Sequence, residues 1–243
     1  MRRRVLITRS QPGASRTATR LAALGYEAIV SPVAARAPLM SAEALNAALT
    51  GAPALALTSA HAARALAETD LDRETPVFAV GDATAEAASE AGFTAVESAS
   101  GDVSALARLI ERAGVTGVVH VRGEETAGDL SAELAEARTA VVEAIAYRMA
   151  PAEALSDSAA ARLGAREIAA VLIHSPSGAR RYLALARAAG LGAAARATPV
   201  AAISEAAATP LRQAGLSPIA VAASPDEDGL IDALIGLAPA QRP

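Results

Sequence analysis

The chain has 243 residues, 52% of them hydrophobic and only 2% aromatic, with 26 acidic and 22 basic side chains and a net charge of −4. That length suits two domains of roughly 120 residues each, with cores of Ala, Val, Leu and Ile. A dedicated nucleic-acid binder would carry a basic excess, which is absent. There is no Cys, which excludes disulfides, thiolate nucleophiles and Cys-ligated zinc. All 22 basic residues are Arg. Without Lys there is no Schiff base and no P-loop ammonium. His61, His120 and His174 stand 59 and 54 residues apart, without metal-ligand spacing.

The first apolar run covers residues 5–8, after Arg2-Arg3-Arg4. It is too short for a signal-peptide core, and no run approaches the 18 or more residues of a membrane span, so a soluble cytoplasmic protein is expected. Thr17, Leu21 and Leu24 keep helical spacing, closed by Gly25. A strand follows at 28–33, and the stretch from Pro32 to Pro38 reads as an extended connector. Strands at 54–58, 77–81 and 95–97 come next, then a helix on Val103, Leu106 and Ile110 with Asp102 placed to cap it. Strands at 118–122 and 141–147 lead to a second connector at 149–151. Strands at 170–174, 200–203 and 219–222 precede a last helix on Leu230, Ile231, Leu234 and Ile235.

These ten strands are mostly apolar throughout, as parallel strands buried on both faces are, and they alternate with helices. The pattern also repeats. Val5-Leu6-Ile7-Thr8-Arg9 matches Val118-Val119-His120-Val121-Arg122, and Leu55-Ala56-Leu57-Thr58-Ser59 matches Val171-Leu172-Ile173-His174-Ser175. Two copies of five strands, offset by about 115 residues, predict an α/β fold: two similar three-layer α/β/α domains with five-stranded parallel sheets.

In an open α/β sheet the ligand lies beyond the carboxyl ends of the strands. Here Thr8-Arg9, Thr58-Ser59, Thr84, Arg122-Gly123, Ser175-Pro176-Ser177 and Ser204 stand between strand and helix. Ser and Thr there cap helices, and free N–H groups at helix starts bind anions. Together these ends suggest a polyanion cleft. Tyr147 ends a strand before the second connector and should face the gap between domains, where a phenol can donate a proton or pack. Glu124-Glu125 and Asp226-Glu227-Asp228 read as solvated helix starts that complement the dipole. Gly190-Leu191-Gly192 follows a helix, which argues against a dinucleotide site, and no Ser-His-Asp set can be assembled from spacing.

Taken in order, several segments resemble the uroporphyrinogen-III synthase family over nearly the whole chain. They are Leu6-Ile7-Thr8-Arg9 with Gln11-Pro12-Gly13-Ala14, Leu57-Thr58-Ser59-Ala60, and Val80-Gly81-Asp82-Ala83-Thr84-Ala85 with Ala91-Gly92-Phe93. Gly101-Asp102, Val121-Arg122-Gly123, Gly128-Asp129-Leu130, Tyr147-Arg148, Ser175-Pro176-Ser177 and Ile203-Ser204-Glu205 complete the set. The resemblance implies exchanged halves: residues 1–35 with 152–243 in one domain, and 36–151 in the other, joined by two extended connectors. It implies cyclisation of hydroxymethylbilane, with loss of water and inversion of ring D, to uroporphyrinogen III, without cofactor or metal. It places the proton donor on Tyr147, with Thr58, Ser59, Thr84 and Ser175 at the cleft; the strand ends read above add Arg9, Arg122, Ser177 and Ser204 as expected substrate contacts. Some members carry hydroxyl residues where this chain has Ala206 and Ala207, so those contacts are missing. A monomer is expected, fed by hydroxymethylbilane synthase, with no membrane or nucleic-acid partner. A two-domain protein that closes on a small anion without chemistry is the alternative. A response-regulator-like module would need an acidic cluster after the first strand and a Lys after the fifth; Thr8-Arg9 and the absence of Lys oppose it.

Overall fold

A computed structural model of the chain describes residues 3–125, 128–137 and 139–237. In chain order the first half contains β1 (Arg4–Ile7), α1 (Gly13–Ala23), β2 (Glu27–Val30), β3 (Ala34–Pro38), α2 (Ala42–Leu49), β4 (Leu55–Leu57), α3 (Ala60–Leu66), β5 (Val77–Ala79), α4 (Asp82–Glu90) and β6 (Val96–Ser98). Then come α5 (Val103–Ala113), β7 (Gly117–Gly123), α6 (Leu130–Glu133), β8 (Ala140–Pro151), α7 (Asp157–Gly164) and β9 (Ile168–Ile173). The chain continues through α8 (Pro176–Ala188), α9 (Gly192–Ala197), β10 (Val200–Ala202), α10 (Glu205–Gln213), β11 (Ile219–Val221) and α11 (Glu227–Gly236). The contacts divide it into two compact units, Met1–Ala35 with Ala150–Pro243, and Arg36–Met149.

In the first unit the strand order is β11-β10-β9-β1-β2, all parallel. Successive residues of β1 point to opposite faces. Val5 and Ile7 pack with Leu21, Leu230 and Leu234 on one face, while Leu6 joins Leu163, Tyr182 and Leu211 on the other. Helices therefore cover both faces, which explains why β1 is apolar from end to end.

In the second unit the order is β3-β8-β7-β4-β5-β6, and β7, β4, β5 and β6 run parallel, as do β7 and β8. Leu55 and Leu57 of β4 face Leu45, Leu66 and Val121, whereas Ala56 faces Phe78, Leu106 and Ile110. Five strands are expected here from the sequence; the sheet has six. The extra strand is β3, in the stretch read as a connector. Pro38 has no N–H, but an edge strand tolerates that. β8 likewise runs on to Pro151, past the end of the apolar run at Tyr147.

Each sheet reverses its winding at one place. The chain moves from β4 outward to β5 and β6, then returns to β7 on the other side of β4. In the first unit it moves from β1 to β2, then returns to β9 on the other side of β1. The crevice beyond the carboxyl ends at such a point is where open α/β sheets hold ligands. The two points are β4/β7 and β1/β9.

Candidate active site

In the second unit the switch point opens into a cleft of ≈ 550 Å³. Thr58 and Ser59 enter it from the end of β4, Gly123 and Glu124 from β7, Tyr147 from β8, and Asp102 and Val103 from the start of α5. Ser59 caps α3, its Oγ accepting from the His61 N–H at 3.1 Å. Asp102 caps α5 by accepting from the Ala105 N–H at 2.9 Å.

Tyr147 is 5% exposed. Its place depends on a local irregularity. The β7/β8 register shifts between Arg122 and Gly123, so that Gly123 pairs with Tyr147, and the Glu124 N–H donates to the Tyr147 carbonyl at 2.8 Å. A Cβ on Gly123 would stand 2.9 Å from ring atoms Cε2 and Cζ. Glycine at 123 thus makes room for the phenol. The His61 ring lies tilted against it, centroids 5.8 Å apart. Burial raises the phenol pKa, while a hydrogen bond with Ser59 and the charge of Arg36 act the other way. The group is a neutral donor at pH 7.

Behind the cleft Thr58 Oγ1 is hydrogen-bonded to His120 Nε2 at 3.1 Å. His120 is 1% exposed on β7, and its Nδ1 lies 3.8 Å from Glu143 Oε1. Burial lowers the His120 pKa more than Glu143 raises it. Arg122, expected as a substrate contact, points elsewhere: Nη2 binds Glu143 Oε2 at 2.7 Å and Nη1 binds the Gly123 and Glu124 carbonyls at 2.8 and 3.2 Å. Its charge is met inside the fold, and it does not line the cleft. Thr84 is buried in the first turn of α4, also outside the lining.

In the first unit the expected residues gather at the ends of β1, β9 and β10. Ser175 Oγ caps α8, accepting from the Gly178 N–H at 2.9 Å, and sits 3.2 Å from Ser177 Oγ. Ser204 Oγ caps α10, accepting from the Ala207 N–H at 3.3 Å. Arg9 is bound by Glu227 at 2.7 Å, and Thr17 donates a short hydrogen bond to the same carboxylate. His174 Nε2 stands 3.4 Å from it. Glu227 is therefore no solvated helix start. Burial alone would raise its pKa, but His174, Thr17 and Arg9 together hold it at about 2. Burial also lowers the pKa of His174.

Sequence reasoning missed His120, His174, Glu143 and Glu227. The one signal was a polar residue inside an apolar strand, as in Val118-Val119-His120-Val121. No group of three or more His, Cys, Asp or Glu could hold a metal among the described residues, and none of the described helices is long and apolar enough to cross a membrane.

A model of the family described as uroporphyrinogen-III synthase HemD matches residues 15–232. In fold the chain is similar to the uroporphyrinogen-III synthetase of Helicobacter pylori 26695, with a TM-score of 0.63 and 16% identity over 98% of this chain and 100% of that one. It is also similar in fold to a mutant uroporphyrinogen III synthase from the extremely thermophilic bacterium Thermus thermophilus, with a TM-score of 0.50 and 21% identity over 96% of each chain. No curated protein sequence matches.

Proposed function

The chain belongs to the uroporphyrinogen-III synthase family, and from that premise we propose how its own residues turn hydroxymethylbilane into uroporphyrinogen III. The observation that carries the activity is the family match over residues 15–232. It does not favour a binding protein without chemistry.

In the proposed reaction Tyr147 gives its phenolic proton to the terminal hydroxyl of the substrate, which leaves as water. The resulting azafulvene cation is attacked by the substituted carbon of ring D, forming a spiro intermediate. The bond from that carbon to the ring C methylene then breaks, leaving an azafulvene cation on ring C; ring D turns over, and its free α-carbon attacks that methylene and closes the macrocycle. The proton lost from carbon at closure returns to the phenolate, so the balance is one substrate to one product and one water. A buried phenol with a raised pKa is a weak acid. Most of the barrier lowering then comes from holding a flexible chain in the closing geometry, which can supply several kcal/mol.

Thr58 and Ser59 contact substrate in the cleft. Ser175, Ser177 and Ser204, with the first-turn N–H groups of α8 and α10, take substrate carboxylates. Arg9 and Arg122 contribute only when they exchange their Glu partners, and Thr84 acts through the first turn of α4. In this reading residues 1–35 with 152–243 and residues 36–151 are two three-layer domains with exchanged halves, connected by the extended segments around Pro38 and Met149. The protein works in the cytoplasm as a monomer that receives its substrate from hydroxymethylbilane synthase.

The test is to supply purified protein with freshly made hydroxymethylbilane, without metal or nucleotide, and separate the product isomers. Spontaneous closure gives isomer I. Isomer III is the expected product; isomer I alone from folded protein would refute the assignment.

A further inference from the structure

One wall of the second unit's cleft is acidic. Asp102, Glu124, Glu125 and Glu133 contribute carboxylates, and among the described residues no Arg lines it. A substrate with eight carboxylates is repelled by such a wall, yet its pyrrole N–H groups match it. Thr58 decides what the inner end of the cleft offers, because a hydroxyl donates or accepts according to its other partner.

That partner is His120. Strand register sets His120 of β7 opposite Glu143 of β8 and Ala56 of β4, and Thr58, just past the end of β4, meets the ring through its hydroxyl, so the order is Glu143, His120, Thr58. Nδ1 has no hydrogen-bond partner and looks at the Glu143 carboxylate, 3.8 Å away. Arg122 keeps that carboxylate ionised, lowering its pKa. A lone pair on Nδ1 would face negative charge, whereas an N–H there is attracted to it. The ring therefore carries its proton on Nδ1 and presents a bare Nε2 to Thr58. The charged groups acting on the ring are Glu143, Arg122 and Asp129; burial, with Arg122 acting the same way, outweighs Glu143 and Asp129 and keeps it neutral. Thr58 must then donate to Nε2, which leaves only its lone pairs for the cleft.

We propose that His120 is a positioning residue that holds the Thr58 hydroxyl as an acceptor, so that Thr58 receives a pyrrole N–H of the substrate and not a carboxylate. This rests on the activity proposed above. It turns the nitrogen edge of the tetrapyrrole toward the acidic wall, beside Tyr147, where the cation develops.

Two measurements test it. The first reads the resting protein. Nitrogen-15 NMR of the His120 ring between pH 6 and 8 should show Nδ1 protonated and Nε2 bare; a proton on Nε2, alone or with one on Nδ1, overturns the proposal. That outcome is independent of whether isomer III forms. The second is a double-mutant cycle on isomer III formation. Thr58→Val and His120→Asn should each lower kcat/KM by about 5- to 10-fold, the worth of one ordinary hydrogen bond. The pair should be no worse than either single change. His120→Gln, whose amide oxygen reaches the Nε2 position, should restore most of the rate. Additive losses, or a Gln variant that folds and is no better than Asn, reject the positioning role. Should a His120 variant fail to fold, the NMR result and Thr58→Val still decide.

Discussion

Replacing Tyr147 by Phe removes one oxygen and keeps the ring. Its surroundings are ring contacts: the Gly123 backbone, the His61 face and the apolar cluster with Leu57, Val121 and Ala146. The loss to stability is one hydrogen bond, about 0.5–1.5 kcal/mol. The loss to catalysis depends on how good an acid the phenol is. General acids are most effective when their pKa lies near the working pH, and burial moves this one upward, away from it. The expected drop in turnover is therefore about 10- to 100-fold, the low end of the general-acid range. The assay is the initial rate of isomer III formation from fresh hydroxymethylbilane, with melting curves as the folding control. A folded Phe variant with the wild-type rate would refute the reasoning. Tyr147 would then be a packing residue, and the proton would come from water or a substrate carboxylate.

Gly123→Ala should act on the same ring from the other side. A methyl 2.9 Å from Cε2 forces the phenol or β7 to move, so we expect a loss of about 1–3 kcal/mol in denaturant unfolding and turnover at least as low as in the Phe variant. Ser175→Ala and Ser204→Ala each remove a helix cap, worth about 1 kcal/mol in the same unfolding measurement. Both should cost less turnover than Tyr147→Phe, because the backbone N–H groups that receive carboxylates remain.

Much of this architecture is legible in the sequence, because parallel strands buried on both faces leave continuous apolar runs. Residues 118–122 mark β7 and residues 200–203 mark β10 within a residue or two. β3 escapes because Pro32 and Pro38 flank it and argue for a loop; only its position at a sheet edge makes it a strand. The residues of the site divide in the same way. Tyr147 is conspicuous as one of three tyrosines, at the end of an apolar run. The chain from Glu143 through His120 to Thr58 is invisible, since its ends are 85 residues apart and meet only through the register of three neighbouring strands. The pairing of the arginines is hidden for a related reason. Arg9 stands just after β1 and Arg122 near the carboxyl end of β7, where a cation suggests an anion site, but their Glu partners come from elsewhere in the chain.

The Arg9–Glu227 pair allows that last point to be tested on stability and binding at once. Glu227 has its pKa held at about 2 against an ordinary 4.5. A carboxylate with a depressed folded-state pKa stabilises fully above the unfolded value and loses that contribution as pH falls through the folded one. The shift corresponds to about 3 kcal/mol at most. Glu227→Gln should thus unfold more easily at pH 7, with the difference from wild type intact at pH 5 and shrinking steadily from pH 4 towards pH 2. The same change leaves Arg9 without its carboxylate, and at one-third exposure the guanidinium can turn toward solvent. If anions are taken at these strand ends, the freed cation should lower KM for hydroxymethylbilane by about 2- to 5-fold, the range of one exposed ion pair. Raising the salt concentration should erase that gain, since exposed charges are screened within about 10 Å at 0.1 M. A pH-independent stability difference would mean that Glu227 is not ionised by its neighbours. A KM that rises or stays unchanged would mean that Arg9 does not reach substrate, and that carboxylate binding at the ends of β1 and β9 rests on backbone N–H groups alone.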